Sequence, residues 1–194
     1  MSRKQRILTA ATELFAKQGF NGTATSEIAR KAGVAQGTVF HHFKSKENLL
    51  ISICDELVTE YVEGIKEAAQ GPGTGWDALE RIMRFSLNFL TDRTESITVA
   101  FRETRVLQHE PGDLHDHFAD LMGQIIDVKK DCIERGQADG SIRQVDPYKT
   151  AFLLYILIKG IHHTQAQGLL QVPDLTSEVV GFWRQNLATG NSHK

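Results

Sequence analysis

The short segment Gln36–Phe43 carries the side chains whose types and spacing most clearly predict a chemical role. On a helix, successive residues are about 100° apart. One predicted face is apolar and is expected to be buried, Phe40 included: Val39, Phe40 and Phe43. The opposite face is polar, contains no acid, and consists of Gly37, Thr38, His41 and His42. Short donors and acceptors without acidic groups are typical of a surface that reads base edges in the major groove of DNA.

Groups suited to binding phosphate flank this segment. We expect Thr25 to lie at a helix N-terminus, where free backbone N–H groups and the helix dipole favour an anion. Lys46 is predicted to begin a later helix and to add its charge to that N-terminus. Arg3 and Lys4 are predicted to form a loose basic arm. Phosphate contacts position a protein on DNA, so these residues complement the base-reading face.

The charge distribution supports the same interpretation. Residues 1–50 hold eight Lys or Arg and three acidic residues, whereas the remaining 144 residues hold 14 basic and 21 acidic residues. A basic end on an acidic body is typical of a protein that presents one end to nucleic acid. The net charge of −2 hides this asymmetry.

Two short helices joined by a glycine turn are predicted over residues 25–43, which is the shape of a helix-turn-helix. Ala29 is small enough for the second helix to cross closely. Gly33 can adopt the positive φ that a tight turn requires. Val34 is predicted to fill the space between the helices. A plain three-helix bundle would not need this turn together with an acid-free helix face.

Apolar residues recur with helical spacing along the rest of the chain, and no segment alternates with the period of a strand. The clearest break is the glycine-rich stretch at residues 71–75. The fold class is therefore predicted as all-α. The predicted helices span residues 3–18, 25–33, 36–43, 45–69, 76–90, 96–108, 113–135 and 147–167, with a last helix from 174 or 176 to about 188.

Residues 7–50 closely resemble the DNA-binding domain of the TetR family of repressors. The resemblance rests on the stretch from Ile7 to Phe20 and on the run from Thr25 through Gly33 and Lys46 to Leu50. It implies an all-helical homodimer of about nine helices that binds double-stranded operator DNA and a small organic inducer. It places a helix-turn-helix DNA-binding domain at residues 3–63 and a ligand-binding and dimerisation domain at residues 64–194.

The resemblance also assigns roles by position. Residues expected to hold phosphates are Thr25, His41, His42 and Lys46. Residues expected to approach bases are Gln36, Gly37 and Thr38. The family often has tyrosine where this chain has Phe40, so a phosphate bond from that hydroxyl is absent here.

The later helices contain aromatic residues where the family lines its ligand pocket. The candidates are Phe85, Phe89, Phe101, Phe118, Met122 and Tyr155, with His162 or His163 as a polar handle. Mostly apolar walls predict a hydrophobic or aromatic organic inducer. The alternative is that these side chains form ordinary helical core.

The last two helices are candidates for a dimer interface, as a four-helix arrangement between two copies. Ala151 and Gly160 are small enough for close helix packing, and the last helix contributes Val179, Phe182 and Trp183. The alternative for each of these residues is burial within its own chain.

A histidine- and aspartate-rich segment at residues 109–120 leaves a metal-responsive regulator open as an alternative. Pairs such as Asp113 and His117, or Asp116 and Asp120, have i, i+4 spacing. Acidic residues at a helix start also stabilise the helix dipole, which is the preferred interpretation. No nucleophile–base spacing, phosphate loop or paired cysteine predicts an enzyme or a bound cofactor. A helical interaction module without DNA binding is a further alternative.

No apolar run approaches the roughly 20 residues of a membrane helix, and the N-terminus lacks the features of a secretory signal. We therefore expect a cytoplasmic protein without a membrane partner. Cys54 and Cys132 are expected to be reduced.

Overall fold

The computed structural model describes residues 1–103 and 112–190. Over these residues the chain forms nine α-helices, which confirms the all-α prediction. The helices are α1 (Arg3–Gln18), α2 (Thr25–Ala32), α3 (Gln36–Phe43), α4 (Lys46–Gln70), α5 (Gly75–Asp92), α6 (Thr94–Arg102), α7 (Gly112–Asp139), α8 (Pro147–Gln167) and α9 (Thr176–Leu187). None of these helices is long and apolar enough to cross a membrane.

The chain divides into two compact units. Unit 1 comprises Met1–Val58 and Arg93–Asp116, and unit 2 comprises Thr59–Asp92 and His117–Lys194. These units are defined by packing. The division into a DNA-binding domain ending at residue 63 and a ligand-binding and dimerisation domain beginning at residue 64 stays a prediction. Helix α4 supplies residues to both units.

Unit 1 is built around the apolar stripe of α1, where Ile7, Ala11 and Phe15 are almost fully buried. The Ser2 hydroxyl accepts a hydrogen bond from the Gln5 backbone N–H at 3.1 Å and so caps this helix. Helix α6 also packs on α1, and the Arg102 guanidinium donates to the Ala16 carbonyl at 3.0 Å. The sixth helix begins two residues before its predicted start, and its predicted end at Gln108 lies outside the described residues.

Unit 2 is centred on α5, whose Trp76, Leu79, Ile82 and Met83 are fully buried. Thr74 and Asp77 cap the N-terminus of this helix with two reciprocal hydrogen bonds. The Thr74 N–H donates to Asp77 Oδ2 at 2.8 Å, and the Asp77 N–H donates to Thr74 Oγ1 at 3.2 Å. This is a capping box, which satisfies N–H groups that have no partner inside the helix. The helix therefore begins at Gly75, the last residue of the predicted glycine-rich break.

The seventh helix was predicted to end at residue 135, just before Gly136, but α7 continues through Gly136 to Asp139. Gly136 is buried because the backbone of Gly75 approaches it closely, and a Cβ on Gly75 would overlap Gly136. Gly136 thus permits close contact between α7 and the start of α5, and it does not form a turn. The chain turns at Gly140, which has a φ of 80°.

Candidate nucleic-acid interface and ligand cluster

The turn between α2 and α3 has the geometry that the sequence predicted. Gly33 lies in the left-handed region with φ 63° and ψ 42°, and the Val34 N–H donates to the Ala29 carbonyl at 3.0 Å. A residue with a Cβ would be strained at this φ. The turn fixes α3 against α2 through the buried Val39 and Phe43.

Residues at the N-termini of α2 and α3 lie next to each other. The Gln36 amide donates to Thr25 Oγ1 at 3.3 Å. Both helix N-termini therefore present backbone N–H groups near one place, which suits a phosphate oxygen. Thr25 is the first residue of α2, as the sequence predicted.

The outer face of α3 is polar and accessible. Gln36, Gly37, His41 and His42 are exposed, and Thr38 is half-buried. A Cβ on Gly37 would meet nothing within 4 Å, so the backbone there is open to close approach. This arrangement can present hydrogen-bonding groups to base edges.

Phe40 was expected to be buried, but 45% of its surface is exposed. Helix α3 is short, and its buried residues are only Val39 and Phe43, which lie four residues apart. Phe40 lies beside this buried stripe. An exposed aromatic ring adjoining the polar face is available for apolar contact with DNA.

Lys46 is more constrained than the sequence indicated. Its ammonium donates to the carbonyls of Phe20 at 2.8 Å and Thr23 at 3.1 Å, and lies 4.3 Å from the centroid of the Phe20 ring. Lys46 therefore fixes the loop before α2 as well as carrying positive charge. One ammonium proton is left for a phosphate.

The predicted loose arm is wrong, because Arg3 and Lys4 lie in the first turn of α1. The Ser2 cap begins the helix there and fixes their backbone. Lys31 also has a partner within unit 1, Glu13 Oε2 at 2.5 Å.

A cluster of aromatic side chains in unit 2 contains three of the predicted ligand residues, Phe85, Phe89 and His162. Sequence reasoning missed its centre, Tyr61 on α4. The ring centroids of Phe89, Phe85 and His162 lie 5.3, 6.0 and 6.4 Å from that of Tyr61. Gly64, one helical turn along α4, lies directly against Phe85 and leaves no room for a Cβ. We call Tyr61, Phe85, Ser86, Phe89, Lys129 and His162 the aromatic cluster.

Polar groups lie among these rings. The Tyr61 hydroxyl donates to Ser86 Oγ at 2.7 Å, and His162 Nε2 lies 3.2 Å from the Ser86 carbonyl. Burial raises the pKa of Tyr61 to about 12 and lowers the pKa of His162 to about 4. Both groups are therefore neutral at pH 7. His162 points inward, whereas His163 is exposed beside Gln167.

Lys129 on α7 is the other member that sequence reasoning missed. Its side chain is fully buried, and its ammonium lies 5.8 Å from the Tyr61 ring centroid. The signal was present, since Ile125, Ile126, Cys132 and Ile133 form a buried stripe at helical spacing around it. A lysine in the middle of such a stripe predicts a buried charge.

The other predicted ligand residues are less concentrated. The Tyr155 hydroxyl lies 3.4 Å from the Met122 sulfur, and both side chains are half-buried in unit 2. Phe118 is half-buried beside His117, with ring centroids 5.6 Å apart. Phe101 lies in unit 1, whereas the aromatic cluster lies in unit 2.

The predicted dimer residues fall into two groups. Ala151, Val179 and Trp183 are buried within the chain, which favours the alternative of intramolecular core for them. They lie on the inner stripes of α8 and α9, together with Leu154, Ile158, Val180 and Leu187. Gly160 and Phe182 are exposed.

An apolar row that the prediction did not include runs along the outside of α8. Its members are exposed large side chains: Tyr148, Phe152, Leu153, Ile156 and Leu157. We call this row the α8 outer face. Leu153 is 59% exposed and Ile156 is 49% exposed, which is unusual for aliphatic residues in neighbouring positions of one helix.

The metal alternative gains no support from the described residues, among which no group of three or more His, Cys, Asp or Glu could hold an ion. His115, Asp116, His117 and Asp120 are exposed on α7. His109 lies outside the described residues, and nothing is described of the side chain of Asp113.

Two family models match the chain. The model described as "Bacterial regulatory proteins, tetR family" matches residues 7–53, and "Tetracyclin repressor-like, C-terminal domain" matches residues 72–187. The second match covers more than half of the chain.

Individual proteins agree with these matches. The fatty acid metabolism regulator protein of Bacillus subtilis (strain 168) is 26% identical over 139 residues, which cover 72% of this chain and 70% of that protein. A tetR-family regulatory protein from Rhodococcus RHA1 superposes with a TM-score of 0.80 at 23% identity, covering 98% of this chain and 100% of that chain. FadR from Bacillus subtilis, solved with stearoyl-CoA, superposes with a TM-score of 0.76 at 23% identity. The match covers 92% of this chain and 96% of that chain. At these identities, the two structures show a common fold.

Proposed function

Because this chain belongs to the TetR family of bacterial regulatory proteins, we propose that it is a repressor that a small hydrophobic organic ligand releases from its operator. Membership of the family makes it a DNA-binding transcriptional regulator. The proposal adds the direction of regulation, the reading residues, the homodimer and the class of ligand. The observation that carries it is the exposed, acid-free face of α3 beside the paired N-termini of α2 and α3.

In this proposal α3 lies in the major groove. Gln36, Gly37 and Thr38 approach base edges from its N-terminal turn. The phosphate contacts come from Thr25, His41, His42 and Lys46. Short polar side chains reach base edges only when the helix backbone lies close to the groove, and the open surface at Gly37 favours that approach.

The second part of the proposal is a homodimer that buries the α8 outer face. An exposed apolar row of this kind is stabilised when a second copy covers it. A two-fold dimer also presents two copies of α3, which matches operators made of two half-sites. Gly160, further along α8, and Phe182 on α9 are also exposed.

The third part concerns the ligand, which we place against the aromatic cluster. Phe85 and His162 are half-buried there and offer ring surface. The relative that regulates fatty acid metabolism and the structure solved with stearoyl-CoA favour a ligand with an acyl chain. Helix α4 carries both Lys46 and Tyr61, so a shift of that helix on ligand binding would reach the DNA-binding residues.

Linkage supplies the test. A ligand that weakens DNA binding by some factor must itself bind more weakly to the DNA complex by the same factor. Titration of an apolar ligand library against the protein, with and without its operator, should identify ligands whose two affinities differ in this way. Release of the DNA by a divalent metal or a polar metabolite alone would contradict the proposal.

A further inference from the structure

Lys129 occupies a position that the fold alone does not explain. None of its side chain is exposed, and the hydrogen bond found for its ammonium is to the Ile125 carbonyl of its own helix at 3.2 Å. The ammonium faces the Tyr61 ring at 5.8 Å. An ammonium group has three protons to donate, and this one donates one of them to an acceptor in the described part of the chain.

The charges around Lys129 do not compensate it. Among the described residues, the charged group found to act on its ammonium is the Cys132 thiol, and no carboxylate does so. The titratable groups that face it are Tyr61 from α4, Cys132 from α7 and His162 from α8, and α5 contributes the neutral Ser86 to the cluster. Burial lowers the pKa of the Lys129 ammonium to about 7. A buried charge without a partner is unfavourable unless a ligand supplies one.

We propose that Lys129 binds the carboxylate of an amphipathic organic acid whose apolar part lies against Phe85, Phe89 and Tyr155. The inference rests on the proposed function, because it names the chemical class of the ligand. On binding, the flexible lysine side chain turns from the Ile125 carbonyl towards the carboxylate.

The cluster is suited to one negative charge. Lys129 is its one cationic group in the described chain, because His162 is neutral at pH 7. A phosphate ester with two charges would leave one uncompensated, and a neutral alcohol or thioester would leave the ammonium unpaired. A single carboxylate attached to a hydrocarbon chain or ring matches both the charge and the aromatic walls.

The test compares dodecanoate with dodecan-1-ol, which has the same chain length and no charge. Calorimetric titration of the full-length protein at pH 7 should show dodecanoate binding about ten- to a hundredfold more tightly, as expected for a charge-assisted hydrogen bond. Lys129→Met replaces the ammonium with an apolar, unbranched side chain of similar length and should abolish this preference. Lys130→Met is the matched control, since Lys130 is half-exposed beside Glu134 on the same helix and should leave the preference intact.

The wild-type protein provides a second measurement. Above pH 7 Lys129 is mostly neutral in the free protein, so binding of the carboxylate requires the lysine to take up a proton from the solvent. Dodecanoate affinity should therefore fall as the pH rises from 7.5 to 9, by up to about tenfold per pH unit. Dodecan-1-ol affinity should stay constant over this range. Equal affinity for the two compounds in the wild type, or an unchanged preference in Lys129→Met, would overturn the inference.

The two proposals fail in different ways. If dodecan-1-ol binds as tightly as dodecanoate and releases operator DNA, the apolar ligand site stands and the role of Lys129 is wrong. If neither these two compounds nor any other apolar compound binds the wild type, the ligand part of the proposed function fails and the inference fails with it.

Discussion

Lys46 stabilises unit 1 and, in the proposed complex, also contacts a DNA phosphate. Two backbone carbonyls and the face of Phe20 hold its ammonium near the N-terminus of α2. Thr38, in contrast, is half-buried on the reading helix, with a hydroxyl and a methyl group that base edges can meet. The two residues should therefore affect DNA binding in different ways.

Lys46→Met should weaken binding to all DNA sequences alike and reduce the slope of log affinity against log salt by about one. Thr38→Ala should instead cost about 1–3 kcal/mol at one base position and relax preference there. Measuring the affinity of each variant for a panel of duplexes at several salt concentrations distinguishes these effects. The role assignment is wrong if Lys46→Met changes base preference and Thr38→Ala does not.

Lys129 should make stability depend on pH. At and below about pH 7 the residue is charged in the folded and unfolded protein, and the full unfavourable effect of burial is present. Between pH 7 and its usual value of 10.5, the unfolded chain binds the proton and the folded chain does not, so folding becomes more favourable as pH rises.

Lys129→Met should therefore be more stable than the wild type at pH 7. Its advantage should shrink as the pH rises to 9.5, by up to about 1.4 kcal/mol per pH unit. Denaturant unfolding of both proteins at each pH measures the difference, and other titrating groups cancel in the comparison. A difference in stability that stays constant with pH would show that folding does not lower the pKa of Lys129.

Between elements, the contact of α5 with α7 depends on two glycines. The backbone of Gly75 lies against Gly136, and the Gly75 N–H donates to Asp139 Oδ2 at 2.7 Å. Ser141 Oγ then accepts from the Trp76 N–H at 3.1 Å, so the turn after α7 caps the start of α5. This arrangement positions α5, which carries Phe85, Ser86 and Phe89.

Gly75→Ala should lower the free energy of unfolding by about 1–3 kcal/mol, because the new methyl group would overlap the backbone of α7. Gly123→Ala on α7 is the control. A Cβ there meets nothing within 4 Å, so the substitution should stabilise the helix by about 0.5–1 kcal/mol. Thermal or denaturant unfolding measures both, and equal effects of the two substitutions would contradict the close contact.

Some elements could be predicted because their signals are local. The turn at Gly33 and the start of α8 at Pro147 depend on neighbouring residues, and both lie where the sequence placed them. The end of α7 could not be predicted, since the role of Gly136 depends on Gly75, which is distant in sequence. The same reason applies to Tyr61 and Lys129, because only the packed unit shows which helix faces meet. Phe40 was wrongly expected to be buried, because the angular positions of residues on a helix do not show how narrow the buried stripe of a short helix becomes.

For the molecule as a whole, the proposed dimer buries the exposed α8 outer face against a second copy. Ile156→Asp should shift the protein from dimer to monomer, because a buried carboxylate without a partner is unfavourable. Asn88→Asp adds the same charge at an exposed position of α5 and should leave the dimer intact. Sedimentation equilibrium of both variants is the measurement. A dimeric Ile156→Asp protein would place the interface elsewhere.

In the proposed complex, two copies of α3 in a two-fold dimer read a specific DNA sequence. Selection of bound duplexes from a random-sequence DNA library, followed by sequencing, tests this proposal most directly. We predict enrichment of an inverted repeat whose half-sites are about one helical turn or more apart. Recovery of DNA without any enriched sequence, or with a single unrepeated site, would exclude sequence-specific binding by such a dimer.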